Sequence, residues 1–205
     1  FANNEYVLNA TRYLEVVPKI ENGLELGAVT KQITRGAQIK AAELDEIKAN
    51  ESTPYKYLTL ANINDGIIST DDEQYLREIP ENLKKFCVKN NSIILTKTGM
   101  PEVKTAVVQI EENTELLATG NLFIIEVDET KINPFYVQAF FASETGVSLF
   151  RSISTGSVLP TISLSKLKSL VIPAPPMEEQ IVIANKYAAI NCFDYVHLPA
   201  SVAGA

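Results

Sequence analysis

The residues best equipped for chemistry are Asn133, Pro134, Phe135 and Tyr136, in the run INPFY. A carboxamide can donate and accept hydrogen bonds, and an aromatic ring can stack. The same letters also spell the start of a helix. Asn is a favoured N-cap and Pro fits the first helical position. In PFYVQAFFASETG, Phe135, Ala139 and Ala142 fall along one side, with Val137, Phe140 and Phe141 widening it, and Gly146 is placed to end the helix.

The stretch is similar to the Asn-Pro-Pro-Tyr/Phe tetrad of amino-methylating DNA methyltransferases, a resemblance that would give Asn133 and Tyr136 the task of holding a flipped adenine, but Phe135 stands in place of the second proline. Such an enzyme also needs a glycine-rich strand-to-helix turn for S-adenosylmethionine, set in alternating strands and helices. The nine glycines here stand singly, with no Gly-x-Gly pair, and no such alternation precedes Asn133. The helix cap is the better reading. Other catalytic sets are missing too. Cys87 and Cys192 follow no metal or redox spacing, which suits a reducing cytosol, and the single histidine, His197, lies near the chain end. That leaves no zinc site and no nucleophile–base pair in the body of the chain.

A chain of 205 residues, 46% hydrophobic and 21% charged, can bury one sizeable core. No segment approaches the roughly 20 apolar residues needed to cross a bilayer. The opening FANNEY lacks the basic-then-apolar pattern of a signal peptide. A cytoplasmic location without a membrane partner is expected. The start at Phe1 and the ending ASVAGA read as a piece of a longer protein. A net charge of −7 argues against nucleic acid as a partner, but the charge is unevenly spread. From Lys84 to Ile110, Lys84, Lys85, Lys89, Lys97 and Lys104 face one acid, Glu102. From Arg151 to Leu170, Arg151, Lys166 and Lys168 face none.

These stretches must be positioned by short elements. NEYVLNATRYLEVV reads as an extended lead-in, and LELGAVTKQITRGAQI as a short helical or strand segment turning at Arg35-Gly36. KAAELDEIKANES reads as a surface loop. YKYLTLANI alternates as a strand, with Tyr55 and Tyr57 on one face as core or sheet-face residues rather than stacking platforms, and Asn64-Asp65-Gly66 turns the chain into Ile67-Ile68. SIILTKTG, VKTAVVQI and LFIIEV follow as strands, with a polar break at Glu111–Asn113. After the INPFY helix come a second short helix through SLFRSISTG, a capped turn at SLSKLKS, a brief strand LVI and the amphipathic helix MEEQIVIANKYAAI. The pattern predicts an α/β (α+β) fold: a curved, mostly antiparallel sheet or partly open barrel, then helices.

Taken in order, KNNSIILTKTG, TGNLFIIEVDETKINPFYVQAFFAS, SISTGSVLPTISLSKLKSLVIPAPP and MEEQIVIA resemble landmarks of the target recognition domain in specificity subunits of type I restriction–modification enzymes. IPAPPMEEQ (Ile172–Gln180) is similar to that family's Ile-Pro-x-Pro-Pro-x-x-Glu-Gln junction. Ser154–Ser157 resembles its Ser-x-Gly-Ser segment and Ser163–Leu167 its Ser-x-x-x-Leu turn. The likeness spans Leu24 to Ala184. YVLNATRYL is similar to the stretch that joins a methyltransferase domain to a fused recognition domain in some adenine methylases. The family continues into a long helix after the junction, whereas YVHLPASVAGA carries no heptads.

The resemblance implies a lead-in at 1–20, a DNA target recognition domain at 21–175, and the start of a connecting helix with a tail at 176–205. It implies sequence-specific reading of a double-stranded DNA half-site, with no catalytic residues and no cofactor in this chain. S-adenosylmethionine would belong to a methyltransferase subunit or fused methyltransferase domain, and a restriction subunit is a further partner. Candidate DNA contacts are Thr34-Arg35-Gly36, Lys97-Thr98-Gly99, Lys104, Arg151, Ser154-Thr155-Gly156-Ser157 and Lys166. Each has a plainer reading: a solvated hairpin for the lysines, a helix stop for the serine segment. Met177, Ile181 and Ala184 form either a partner-docking seam or part of the domain's own core. Two rival functions remain at this point: a protein-interaction module that docks a methyltransferase without touching DNA, and a fragment of a catalytic adenine methyltransferase.

Overall fold

The run Leu122–Val127, apolar except for Glu126, must bury both of its faces, and the fold is arranged to do that. The computed structural model describes residues 19–69, 74–98, 102–156 and 159–191. In chain order the strands are β1 (Gly23–Glu25), β2 (Thr30–Arg35), β3 (Lys48–Ala49), β4 (Tyr55–Leu58), β5 (Ile63–Asn64), β6 (Ile67–Ile68), β7 (Gln74–Leu76), β8 (Ile93–Thr96), β9 (Thr105–Val107), β10 (Glu115–Ala118), β11 (Leu122–Val127) and β12 (Val171–Pro173). The helices are α1 (Ala41–Ile47), α2 (Pro134–Ala142), α3 (Glu144–Ile153), α4 (Leu164–Lys168) and α5 (Met177–Ile190). The lead-in through residue 18 and the tail from Cys192 lie outside the described residues.

An antiparallel sheet runs β2-β11-β8-β9. Side chains alternate along it between two cores. Phe123, Ile125 and Val127 join Ile93, Leu95 and Val107 on one face, against the helices. Leu122 and Ile124 join Ile94 and Ala106 on the other. That second core is closed by a sheet ordered β10-β4-β7-β3, antiparallel except for the parallel pair β10–β4. The two sheets are stitched where Ala37, just past β2, bridges Thr119, just past β10: the Ala37 N–H donates to the Ala118 carbonyl at 2.8 Å. The expected mostly antiparallel α/β architecture with C-terminal helices is present, but its strands are divided between these two sheets and the two-stranded pairs β1–β12 and β5–β6 rather than forming one sheet.

Several local expectations are corrected. KAAELDEIKANES contains α1, since Ala, Leu and Glu favour helix, and Leu44 and Ile47 rest half-buried on a third apolar cluster. The YKYLTLANI strand stops at Leu58. The Asn62 carboxamide oxygen takes the Thr59 N–H at 3.0 Å and the Thr59 hydroxyl at 2.9 Å, which caps a 3-10 turn over Leu60–Asn62. β10 was not foreseen after the polar break. Ala142, expected on the inward side of α2, is exposed, while Gln138 is buried. Gly146 does not end a helix: Ser143 breaks the chain between α2 and α3, and its hydroxyl caps α3 by accepting the Gly146 N–H at 3.2 Å. Phe141 and Phe150 then pack edge to face with centroids 4.9 Å apart. The Asn64-Asp65-Gly66 turn is as expected, with Asp65 and Gly66 at φ of 47° and 85°.

The INPFY question is decided by burial. The Asn133 Oδ1 accepts the N–H groups of Phe135 at 2.9 Å and Tyr136 at 3.2 Å, and its own N–H donates to the Gln180 carboxamide at 2.8 Å. Asn133 and Tyr136 are each only 5% exposed, and the Tyr136 hydroxyl donates to the Pro173 carbonyl at 3.1 Å. Both groups that would hold a flipped base are consumed by the helix start and its packing on β12.

Replacing Asn133 with Ala should lower unfolding free energy by about 1–2 kcal/mol, measured by denaturant melts. Burial pushes the Tyr136 hydroxyl up to about 12, and burial together with the Glu115 charge pushes the Cys87 thiol up to about 11. Both groups hold protons longer folded than unfolded. Stability is therefore fully present below pH of about 9 and falls as pH rises through the folded values, which alkaline melts would register.

Candidate nucleic-acid interface

Four segments converge on one end of the β2-β11-β8-β9 sheet, because β11 enters the sheet where β2 and β8 leave it. The Lys97 N–H donates to the Asn121 carbonyl at 2.8 Å in the β10–β11 turn, and the Ile162 N–H donates to the Lys97 carbonyl at 2.9 Å. Thr161 bridges Thr98 on one side and Thr155 on the other, exchanging bonds of 3.0 and 2.9 Å with Thr155. The Arg35 Nε donates to the Gly120 carbonyl, and its guanidinium lies against the Gln38 carboxamide. Arg35, Lys97 and Thr155 therefore share an edge despite their distance along the chain.

The β8–β9 loop leads into Lys104, whose N–H donates to the Thr96 hydroxyl at 2.9 Å and whose ammonium donates to the Asn64 carboxamide oxygen at 3.3 Å. Arg151, in the last turn of α3, is ion-paired with Glu102 of the same loop. Ser154 caps the end of α3 and donates its hydroxyl to the Phe150 carbonyl at 2.7 Å. Thr155 and Gly156 are exposed, and Gly156 takes a φ of 104° that suits glycine. Lys166 is exposed on α4, which Ser163 caps. Among the described residues no carboxylate lies within ion-pair distance of Lys97, Lys104 or Lys166. By contrast, Lys84 and Lys89 each meet a glutamate at 2.9 Å. Cations free of acids, short hydroxyls and turn backbone at one rigid edge are what phosphate contact and base-edge reading require. Among the described residues no cluster of His, Cys, Asp and Glu could hold a metal.

A family model described as the type I restriction modification DNA specificity domain matches residues 32–187. The chain belongs to that family. A protein of Methanocaldococcus jannaschii described as a type I restriction enzyme MjaX specificity subunit is 28% identical over 133 residues, 63% of this chain and 31% of that protein. The chain thus spans about a third of that relative's length. The type I restriction-modification S subunit from M. genitalium shares the fold at a TM-score of 0.54 and 15% identity, over 85% of this chain and 41% of that one. The type IIG restriction endonuclease BpuSI shares it at 0.59 and 9% identity, over 80% of this chain and 26% of that one.

Within this specificity domain several expected contacts take other roles. Gly36 is buried, and a Cβ there would come 2.3 Å from the Thr119 carbonyl oxygen, so the glycine serves the close approach of β2 to β10 rather than an exposed loop. Thr34 is half-buried inside β2, opposite Ile124. Ala184 is fully buried in the domain's own core, with Met177 and Ile181 half-buried beside it. The outward apolar side chains of α5 are instead Val182, Ile183 and Ile190, exposed by 52%, 41% and 79%. Gly99 and Ser157 lie outside the described residues. Asn121, Thr161 and Asn64 contact the candidate residues Lys97, Thr155 and Lys104, and the sequence did not single them out for that role; only the pairing of distant turns reveals these contacts. Tyr57 is buried and Tyr55 half-buried, as expected of sheet residues rather than stacking platforms.

Lys97→Ala and Lys104→Ala should each flatten the salt dependence of DNA binding by about 0.9 in the log–log slope without changing sequence preference, measured by titrations at several salt concentrations.

Proposed function

We propose that this specificity domain reads a short double-stranded DNA half-site for an adenine methyltransferase, through the edge that carries Arg35, Lys97, Lys104, Thr155 and Lys166. The observation that carries the reading is the hydrogen-bonded junction of Lys97, Asn121, Thr161 and Thr155. It holds two otherwise separate basic segments as one surface. The domain contributes recognition and no catalytic group, and S-adenosylmethionine is bound by a methyltransferase partner, either a separate subunit or a domain of the same polypeptide. Residues 21–175 form the recognition unit, and α5 begins the connection to that partner. The outward face of α5 at Val182, Ile183 and Ile190, flanked by half-buried Met177 and Ile181, suits docking of a methyltransferase or restriction subunit. No helix among the described residues is long and apolar enough to cross a membrane.

A net charge of −7 opposes the approach of DNA, so the chain alone should bind more weakly than nanomolar at physiological salt and gain affinity when a methyltransferase closes around the duplex. Selection from a pool of randomised duplexes, with and without that partner, tests the function: one enriched consensus is expected. Recovery of the partner with no enriched sequence would leave a pure docking module. Calorimetry with S-adenosylmethionine and the chain alone should give no binding heat; saturable binding would mark it as catalytic.

A further inference from the structure

We propose that Glu102 is a specificity-determining residue that works by silencing Arg151 toward phosphate; the inference rests on the DNA-reading function above. Three grooves meet at this side chain. One passes Phe150, Arg151, Ser154 and Gly156, a second passes Ala61, Thr96, Thr98 and Lys104, and a third passes Asn64, Gly66, Lys104 and Gln138. Glu102 is the residue common to all three. It is also the one acid between Lys84 and Ile110. A carboxylate at the centre of a cationic edge requires a reason. Folding does not supply one, because the Glu102 and Arg151 side chains are 46% and 50% exposed, and ion pairs so exposed add little to stability.

Recognition does supply one. The Arg151 guanidinium donates through Nη2 to the Glu102 carboxylate, so the pair meets incoming DNA with no net charge. At a neutral pair the pull of the guanidinium on a phosphate is offset by repulsion from the carboxylate, so little counterion is released at this point. A base edge is different: it is neutral and offers directed donors and acceptors. A guanine edge can accept from arginine, and a cytosine amine can donate to glutamate. Pairing Arg151 with Glu102 therefore removes one sequence-independent contact while leaving both groups available to base edges. The ratio of specific to random binding rises, and that ratio governs target choice among many competing sites.

Glu102→Gln keeps the side-chain shape and removes the charge. On the 205-residue chain, binding would be titrated at several salt concentrations against a random-sequence duplex and against the duplex that the wild-type protein selects from a randomised pool. The variant should bind the random duplex about tenfold tighter at about 50 mM salt, with a slope steeper by about 0.9. Its affinity for the selected duplex should rise less, so discrimination shrinks. The double variant Glu102→Gln/Arg151→Gln should return random-duplex affinity and slope to wild-type values. Unchanged random binding in Glu102→Gln, or a gain that persists in the double variant, would overturn the inference alone. Failure of the wild-type chain to bind any duplex or to select any sequence would overturn the DNA-reading function and this inference with it.

Discussion

Burial of the central strand β11 on both faces is the constraint on which the rest of the structure depends. Five of its six residues are buried and alternate between the helix-side core and the core under the second sheet. Fully burying one such side chain contributes about 1.5–3 kcal/mol, and a one-residue slip would exchange both sets at once. Register is accordingly fixed. An antiparallel sheet covered on both faces has no free face for a ligand, so polar and charged groups reach solvent mainly where strands end. The strand ends at Arg35, Lys97, Lys104 and Asn121 are where such groups lie in this sheet.

The helical layer is tied to that sheet by a few buried polar groups as well as by apolar contact. The Gln138 Nε2 donates to the Thr105 hydroxyl at 2.9 Å, next to Lys104, while Asn133 and Gln180 join α2 to α5. Gly66 lies so close under Tyr187 that a Cβ would come 2.3 Å from its hydroxyl. The paired groups hold position because an unpaired one costs about 1–3 kcal/mol; the Gln138 Oε1 is the exception, with no partner among the described residues. The loops at the interface thus rest on elements whose own placement is fixed.

Charge is sorted by the fold in the same way. Acids at Glu81, Glu126 and Asp128 are matched locally by Lys84, Lys89 and Lys131, and Thr130 together with Lys131 holds the Asp128 carboxyl below its ordinary range. Among the described residues Lys97, Lys104 and Lys166, on the sheet edge or on α4, have no carboxylate within ion-pair distance. A chain that is acidic as a whole can therefore keep a cationic edge, and its net charge acts as a background repulsion that limits indiscriminate binding.

Local chemistry alone fixed a good part of this protein. The Asn133 cap and Pro134, the Asn64-Asp65-Gly66 turn, the Ser163 cap and the apolar runs of β8 and β11 are each set by neighbours in the chain, so all were legible in the sequence. The order of motifs ending in IPAPPMEEQ likewise pointed to the family that the chain belongs to. Packing decided what local pattern could not. α1 lay hidden in polar residues, and β10 became a strand only by pairing in parallel with β4. The period-four stripe through Ala184 turned inward, which left Val182, Ile183 and Ile190 outside. Gly36 proved to be a contact between strands rather than an open loop. Arg35, Lys97, Glu102 and Arg151 have individually unremarkable neighbours in sequence. Their meeting depends on hydrogen bonds and charge pairing between residues far apart along the chain, and such contacts exist only once the sheet has closed.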